Sequence, residues 1–124
     1  MKAAVLHGVG DLRYEEIENP ELKPDEVKIK VHVCGICGSD TSRIFKKWKY
    51  PLPAILGHEF SGDVVEIGKD VTGFKIGDRV TGAPLIPCEE CEFCKKGQFS
   101  LCEDHGMIGA KTFGAFAQYV NLKA

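Results

Sequence analysis

Residues 87–102 read Pro-Cys-Glu-Glu-Cys-Glu-Phe-Cys-Lys-Lys-Gly-Gln-Phe-Ser-Leu-Cys, and the four cysteines in this run constrain the fold more than any other feature. Cys88, Cys91, Cys94 and Cys102 follow a C-x2-C-x2-C-x7-C pattern. Tetrahedral zinc prefers soft thiolates, and a two-residue gap lets the chain turn and offer a second sulfur about 2.3 Å from the same ion. The Lys95-Lys96-Gly97 turn then brings Cys102 back as a fourth ligand. Three other chemistries use clustered cysteines: a disulfide framework, a thioredoxin-like redox pair and an iron–sulfur cluster. Tight spacing in a chain without an export signal favours a metal over disulfides. A redox pair needs only two cysteines beside a βαβ pattern. The common ferredoxin run has proline after its last cysteine, where Glu103 stands here. Zinc is the expected ion.

A chain of 124 residues is one domain by length and long enough to bury a core. Its net charge of −2 points away from nucleic acid, whose binders carry a basic face. No apolar run is long enough to span a bilayer, and no segment has the order of a signal peptide, so a cytoplasmic location is expected. Six cysteines in that compartment read as thiols or metal ligands. Fourteen glycines fall between short apolar runs, which predicts many short strands and a mostly β fold.

Residues 2–7 form a short apolar strand, closed by Gly8-Val9-Gly10-Asp11, and residues 13–18 read as its hairpin partner. Residues 26–34 give the clearest strand: Val27, Ile29, Val31 and Val33 alternate with Lys28, Lys30 and His32, so one face is buried and His32 lies on the wet one. Ser39 or Asp40 caps a short helix running to about Lys46. Pro51 and Pro53 stop it. Further strands are expected over residues 63–67, at the end of 74–80, and over 116–122.

A second constellation is Cys37 with His58 and Glu59. Cys37 lies at a strand-to-helix junction among glycines that allow close backbone approach, and His58 follows Gly57 at another junction. A thiolate and an imidazole are two of the three protein ligands expected at a catalytic zinc. The same pair also fits a buried cysteine and a hydrogen-bonded histidine, and spacing alone leaves both readings open.

Gly57-His58-Glu59-Phe60-Ser61-Gly62, followed by Gly68 and Val71, resembles the G-H-E-x-x-G-x5-G-x2-V signature of zinc-dependent medium-chain alcohol dehydrogenases. Cys34-Gly35-Ile36-Cys37-Gly38-Ser39-Asp40, Phe74-Lys75-Ile76-Gly77-Asp78-Arg79-Val80 and the four-cysteine lobe resemble that family in the same order, across the whole chain. The resemblance implies a GroES-like β-barrel with short helices and a zinc-binding cysteine lobe. It implies Cys37 and His58 as catalytic-zinc ligands, with Glu59 the adjacent carboxylate that can exchange onto the metal. Ser39 is implied as the hydroxyl that takes the alcohol's proton, and Asp40 as the carboxylate orienting the ligating histidine. Cys88, Cys91, Cys94 and Cys102 are implied as structural-zinc ligands. NAD or NADP is the implied hydride acceptor, and a homo-oligomer the implied assembly.

The chain also departs from the family. No G-x-G-x-x-G follows a strand, so residues 1–124 are expected to be the GroES-like domain alone, without a Rossmann domain and without dehydrogenase activity of its own. The family's third catalytic-zinc ligand normally lies beyond position 124. Ser42 stands where many members carry a relay histidine, and Gly114-Ala115-Phe116-Ala117-Gln118 replaces the usual Gly-Gly-Phe-Ala-Glu. Within the family, Ser42-Arg43-Ile44-Phe45-Lys46 and Pro84-Leu85-Ile86-Pro87-Cys88 resemble polyol and sugar-alcohol dehydrogenases, the galactitol-1-phosphate 5-dehydrogenases in particular, with sorbitol and threonine dehydrogenases as competitors. A small alcohol or sugar alcohol is the implied substrate. Arg43, Lys46 and Lys47 either meet a phosphate on it or form a solvated basic face. The alternative of another class is a non-catalytic, zinc-stabilised β-barrel scaffold, which has no use for Cys37, Ser39, Asp40, His58 and Glu59 together.

Overall fold

The computed structural model describes residues 1–124. Strand β1 (Lys2–Gly8) pairs antiparallel with β2 (Asp11–Glu16), Lys2 opposite Glu16 and Leu6 opposite Leu12, so the expected hairpin forms. The strongest alternating run becomes β3 (Glu26–Cys34), within its predicted bounds. Helix α1 (Gly38–Phe45) and the short β4 (Ala54–Ile55) lead to β5 (Phe60–Ile67), which is longer than the predicted strand. Then come β6 (Arg79–Val80), β7 (Leu85–Ile86), the one-turn helix α2 (Glu92–Lys95), β8 (Gly106–Met107) and β9 (Tyr119–Lys123).

The strands form three antiparallel sheets, ordered β2-β1-β4, β6-β5-β3-β9 and β7-β8. Residues 116–118 stitch the first two together. The Ala4 N–H donates to Phe116 O at 2.8 Å, and the Gln118 N–H to Lys2 O at 3.0 Å. Gln118 O in turn accepts from the Val31 N–H at 2.9 Å, so one residue bonds both sheets. This crossing is why the last strand begins at Tyr119 rather than at residue 116.

Two readings of the sequence are corrected. Val27 and Ile29 are buried as the alternation requires, but Val33 is 66% exposed. Val31 pairs with Gly62 and Val33 with Ser61, so His32 is an extra residue that breaks the register and turns the strand end outward. His32 stays on the wet face and bonds Asp63 at 2.7 Å. Helix α1 is capped by Cys37, not by Ser39 or Asp40. Asp40 is the third helical residue, and its carboxylate folds back to accept the Cys37 N–H at 3.0 Å, which draws it into the interior.

The main core joins Val27, Ile29, Phe60, Val64, Ile108, Ala115 and Val120. A smaller cluster of Leu6, Ile44 and Leu56 seats α1 on the first sheet. That seat fixes the start of α1 next to the segment following Leu56.

Candidate metal centres

The segment between β4 and β5 presents His58. Gly57 adopts φ 96°, a left-handed conformation that L side chains avoid. A Cβ at Gly57 would lie 2.7 Å from the Phe116 ring and 2.7 Å from its backbone nitrogen. The Gly57 carbonyl accepts from the Ala115 N–H at 2.9 Å, and the Leu56 carbonyl from the Phe116 N–H at 2.9 Å. The backbone before His58 is therefore pinned on both sides, and the imidazole is 6% exposed.

From the other direction, the turn after β3 delivers Cys37 to the start of α1. The Gly35 N–H donates to Glu59 O at 2.6 Å, and the Glu59 carboxylate lies against Gly35, where any Cβ would meet Oε2 at 2.9 Å. One ligand atom each from Cys37, His58 and Glu59 falls within 4.8 Å of the others. Behind them lies Asp40, with no exposed surface, its Oδ1 3.5 Å from His58 Nδ1. Neither of these two buried atoms has any other partner. Nδ1 faces the carboxylate, which leaves Nε2 as the nitrogen for a ligand. The donor set of thiolate, imidazole and carboxylate fits zinc, with a carboxylate placed to orient the imidazole.

The second centre lies in the lobe between β7 and β8. Cys88, Cys91, Cys94 and Cys102 bring their sulfurs within 4.8 Å of one another, and Cys94 and Cys102 are buried. All six cysteines of the chain are free thiols, and Cys88 and Cys94 sit 3.9 Å apart, far beyond a disulfide bond. The Cys88 N–H donates to Cys102 Sγ at 3.2 Å, and the Cys91 N–H to Cys88 Sγ at 3.4 Å. Glu89 takes φ 64° to make this knuckle. Backbone N–H groups of Cys94 and Glu103 stabilise the Cys91 thiolate and bring its pKa down to about 6. Backbone N–H groups of Cys91 and Glu90 lower that of Cys88. Burial and the neighbouring sulfurs push Cys94 up to about 12. Four sulfurs around one point with amide support match the chemistry of a closed, four-thiolate site.

The alcohol dehydrogenase GroES-like domain matches residues 23–124. The chain belongs to this family. Sorbitol dehydrogenase of Bacillus subtilis is 40% identical over 128 residues, taking in 99% of this chain and 36% of the relative. Galactitol 1-phosphate 5-dehydrogenase of Escherichia coli strain K12 is 42% identical over 124 residues, again 99% of this chain and 36% of the relative. The crystal structure of galactitol-1-phosphate dehydrogenase from Escherichia coli superposes with a TM-score of 0.93 at 42% identity, covering 99% of this chain and 36% of that one. The thermostable alcohol dehydrogenase of Pyrobaculum aerophilum, solved with cobalt and zinc, gives a TM-score of 0.93 at 35% identity, over 99% of this chain and 39% of that one. This GroES-like domain thus spans 36% of the length of the curated relatives named. The mostly β, GroES-like fold expected from the sequence is the one observed. No helix in it is long and apolar enough to cross a membrane.

Sequence reasoning singled out both clusters as candidate metal ligands. It missed the N–H···S bonds of the lobe and the Lys123–Glu89 ion pair of 2.5 Å that ties the lobe to β9. It also left Cys34 without a role; that thiol packs against the main core, and burial raises its pKa.

Proposed function

We propose that residues 1–124 form the GroES-like catalytic domain of a zinc-dependent, NAD(P)-linked dehydrogenase that oxidises a secondary alcohol of a polyol to a ketone. The observation that carries this reading is the convergence of Cys37, His58 and Glu59 with the buried Asp40 behind His58. A scaffold domain has no use for an orphaned His–Asp pair beside a thiol and a carboxylate. The relatives' names, sorbitol and galactitol 1-phosphate 5-dehydrogenase, supply the substrate class.

In this reading Cys37, His58 and Glu59 hold one zinc, and the four lobe cysteines hold another that folds the lobe. When bound, the first zinc supplies a Lewis acid that lowers an alcohol's pKa, and NAD or NADP supplies the hydride acceptor. Asp40 faces the His58 ring at Nδ1, which would leave Nε2 to hold the zinc. Ser39, at the start of α1 beside Cys37, takes the alcohol's proton and passes it on through water, because Ser42 cannot serve as a basic relay. Glu59, exposed at the rim, is free to move onto and off the site. The free thiols fit a reducing compartment, and we place the protein in the cytoplasm as a homo-oligomer whose partner is a small-molecule substrate rather than nucleic acid or a membrane.

Cobalt(II) titration tests the metal assignments. Two equivalents are expected to bind, one with the intense sulfur charge-transfer bands of a four-thiolate site and one with weaker bands that disappear in Cys37→Ser. A single equivalent, unchanged by Cys37→Ser, would remove the catalytic site from this reading.

A further inference from the structure

The Glu59 carboxylate is exposed and enters none of the ten ion pairs in the chain, so no charge partner fixes its position. Its backbone is fixed, because the Gly35 N–H donates to Glu59 O at 2.6 Å. An unpaired carboxylate on a fixed backbone goes where there is space, and Gly35 bounds that space. A Cβ on Gly35 would meet Glu59 Oε2 at 2.9 Å, Glu59 Cβ at 3.3 Å and Glu59 O at 3.5 Å. The three nearest atoms all belong to Glu59.

The backbone does not itself call for glycine at this position. Gly35 lies outside the left-handed region, unlike Gly57. It is also exposed, so no packed core excludes a side chain there. Gly38, in the same turn, shows the contrast: a Cβ on it would meet nothing within 4 Å. What the bare Cα of Gly35 leaves is room for a carboxylate, one oxygen of which lies within 4.8 Å of the ligand atoms of Cys37 and His58. We infer that Gly35 is a positioning residue for this metal centre, leaving free the seat from which the Glu59 carboxylate reaches an ion held by Cys37 and His58. The closest contact falls on Oε2, the tip of a flexible side chain, so a methyl at Gly35 moves the carboxylate rather than the backbone. The service to an ion rests on the dehydrogenase reading above; the seat itself is a property of the chain.

A mutant cycle in the cobalt(II)-loaded protein tests the inference. Gly35→Ala, Glu59→Gln, the double variant and Gly38→Ala are compared with the parent. Chelator competition, followed on the bands that Cys37→Ser abolishes, gives the affinity of the Cys37 site. Gly35→Ala and Glu59→Gln should each weaken it by about tenfold, the scale of disturbing a group that supports a metal ligand. The double variant should lose no more than either single one, because both changes remove the same carboxylate. Gly38→Ala should match the parent, and cobalt in the cysteine lobe should be unaffected throughout. In the metal-free protein, the carboxyl carbon-13 signal of Glu59 should shift in Gly35→Ala and stay in place in Gly38→Ala. The inference is overturned if either single variant binds cobalt at Cys37 as well as the parent does or more tightly. An additive loss in the double variant also overturns it, since Gly35 would then act through something other than Glu59, and so does an unmoved Glu59 signal. Cobalt at Cys37 with an unchanged affinity in Gly35→Ala removes this inference alone. A parent that takes up no cobalt at Cys37 removes the dehydrogenase reading and the positioning role with it.

Discussion

His58 Nδ1 lies 3.5 Å from Asp40 Oδ1, and neither buried atom has another partner. Asp40 also accepts the Cys37 N–H, so a single carboxylate touches both proposed ligands of the open site. Asp40→Asn is expected to weaken zinc at Cys37 and His58 by about 10- to 100-fold while the lobe keeps its metal. Competition against a graded series of chelators measures both sites, and an equal loss at each would contradict the link. Asp40→Ala additionally leaves the Cys37 N–H unpaired at a helix start and should lower unfolding stability by about 2 kcal/mol.

Gly57→Ala tests the backbone that presents His58. The new Cβ would meet the Phe116 ring and nitrogen at 2.7 Å, on a left-handed residue. The strain and overpacking together should cost about 3 kcal/mol in urea unfolding. A change below 1 kcal/mol, on the order of an ordinary surface substitution, would show that this turn relaxes freely.

The lobe is expected to depend on its metal more than the rest of the fold does. None of the lobe cysteines belongs to the main core of Val27, Ile29, Phe60, Val64, Ile108, Ala115 and Val120. Chelation or Cys102→Ser should make the amides of residues 88–102 exchange rapidly while those of β3 and β5 stay protected. Hydrogen exchange followed by mass spectrometry resolves the two regions. Uniform deprotection would mean that the lobe and barrel fold as one unit.

Acid sensitivity should include a contribution from Asp63. Its hydrogen bond from His32, with Arg79 and Lys30 nearby, holds its pKa below the ordinary 3.8. The charged form is therefore favoured by folding. That stabilisation is complete above the unfolded value of 3.8 and is lost as pH falls through the lower folded value. Asp63→Asn should bring the melting temperatures at pH 3 and pH 6 closer together. An unaltered pH dependence would show that this exposed pair contributes nothing measurable.

The fold was legible where the pattern was local. The alternation from Val27 to Val31 produced β3 at its predicted bounds, because a two-residue period needs only one buried face. It failed at Val33, because the bulge at His32 is set by how β5 pairs, not by β3 itself. The helix cap was misplaced for a similar reason. Ser39 and Asp40 are both good capping residues, and the choice of Cys37 followed from Asp40 folding inward towards His58.

The cysteine lobe was determined by the sequence alone. Its four cysteines are close along the chain, so short covalent spacing already brings the sulfurs together, and tertiary packing had little left to decide. The second site is the opposite case. Cys37 and His58 belong to separate segments, and only the pairing of β3 with β5, with residues 114–116 clamped against Ile55, Leu56 and Gly57, puts them in reach of one ion. The sequence left Arg43 between a phosphate contact and a solvated basic face, and it could not show that Nη1 is buried without a partner while Nη2 meets the Met107 thioether. A basic residue on a short helix is usually solvated, and its contact here is with Met107, 64 positions along the chain, which no local pattern encodes.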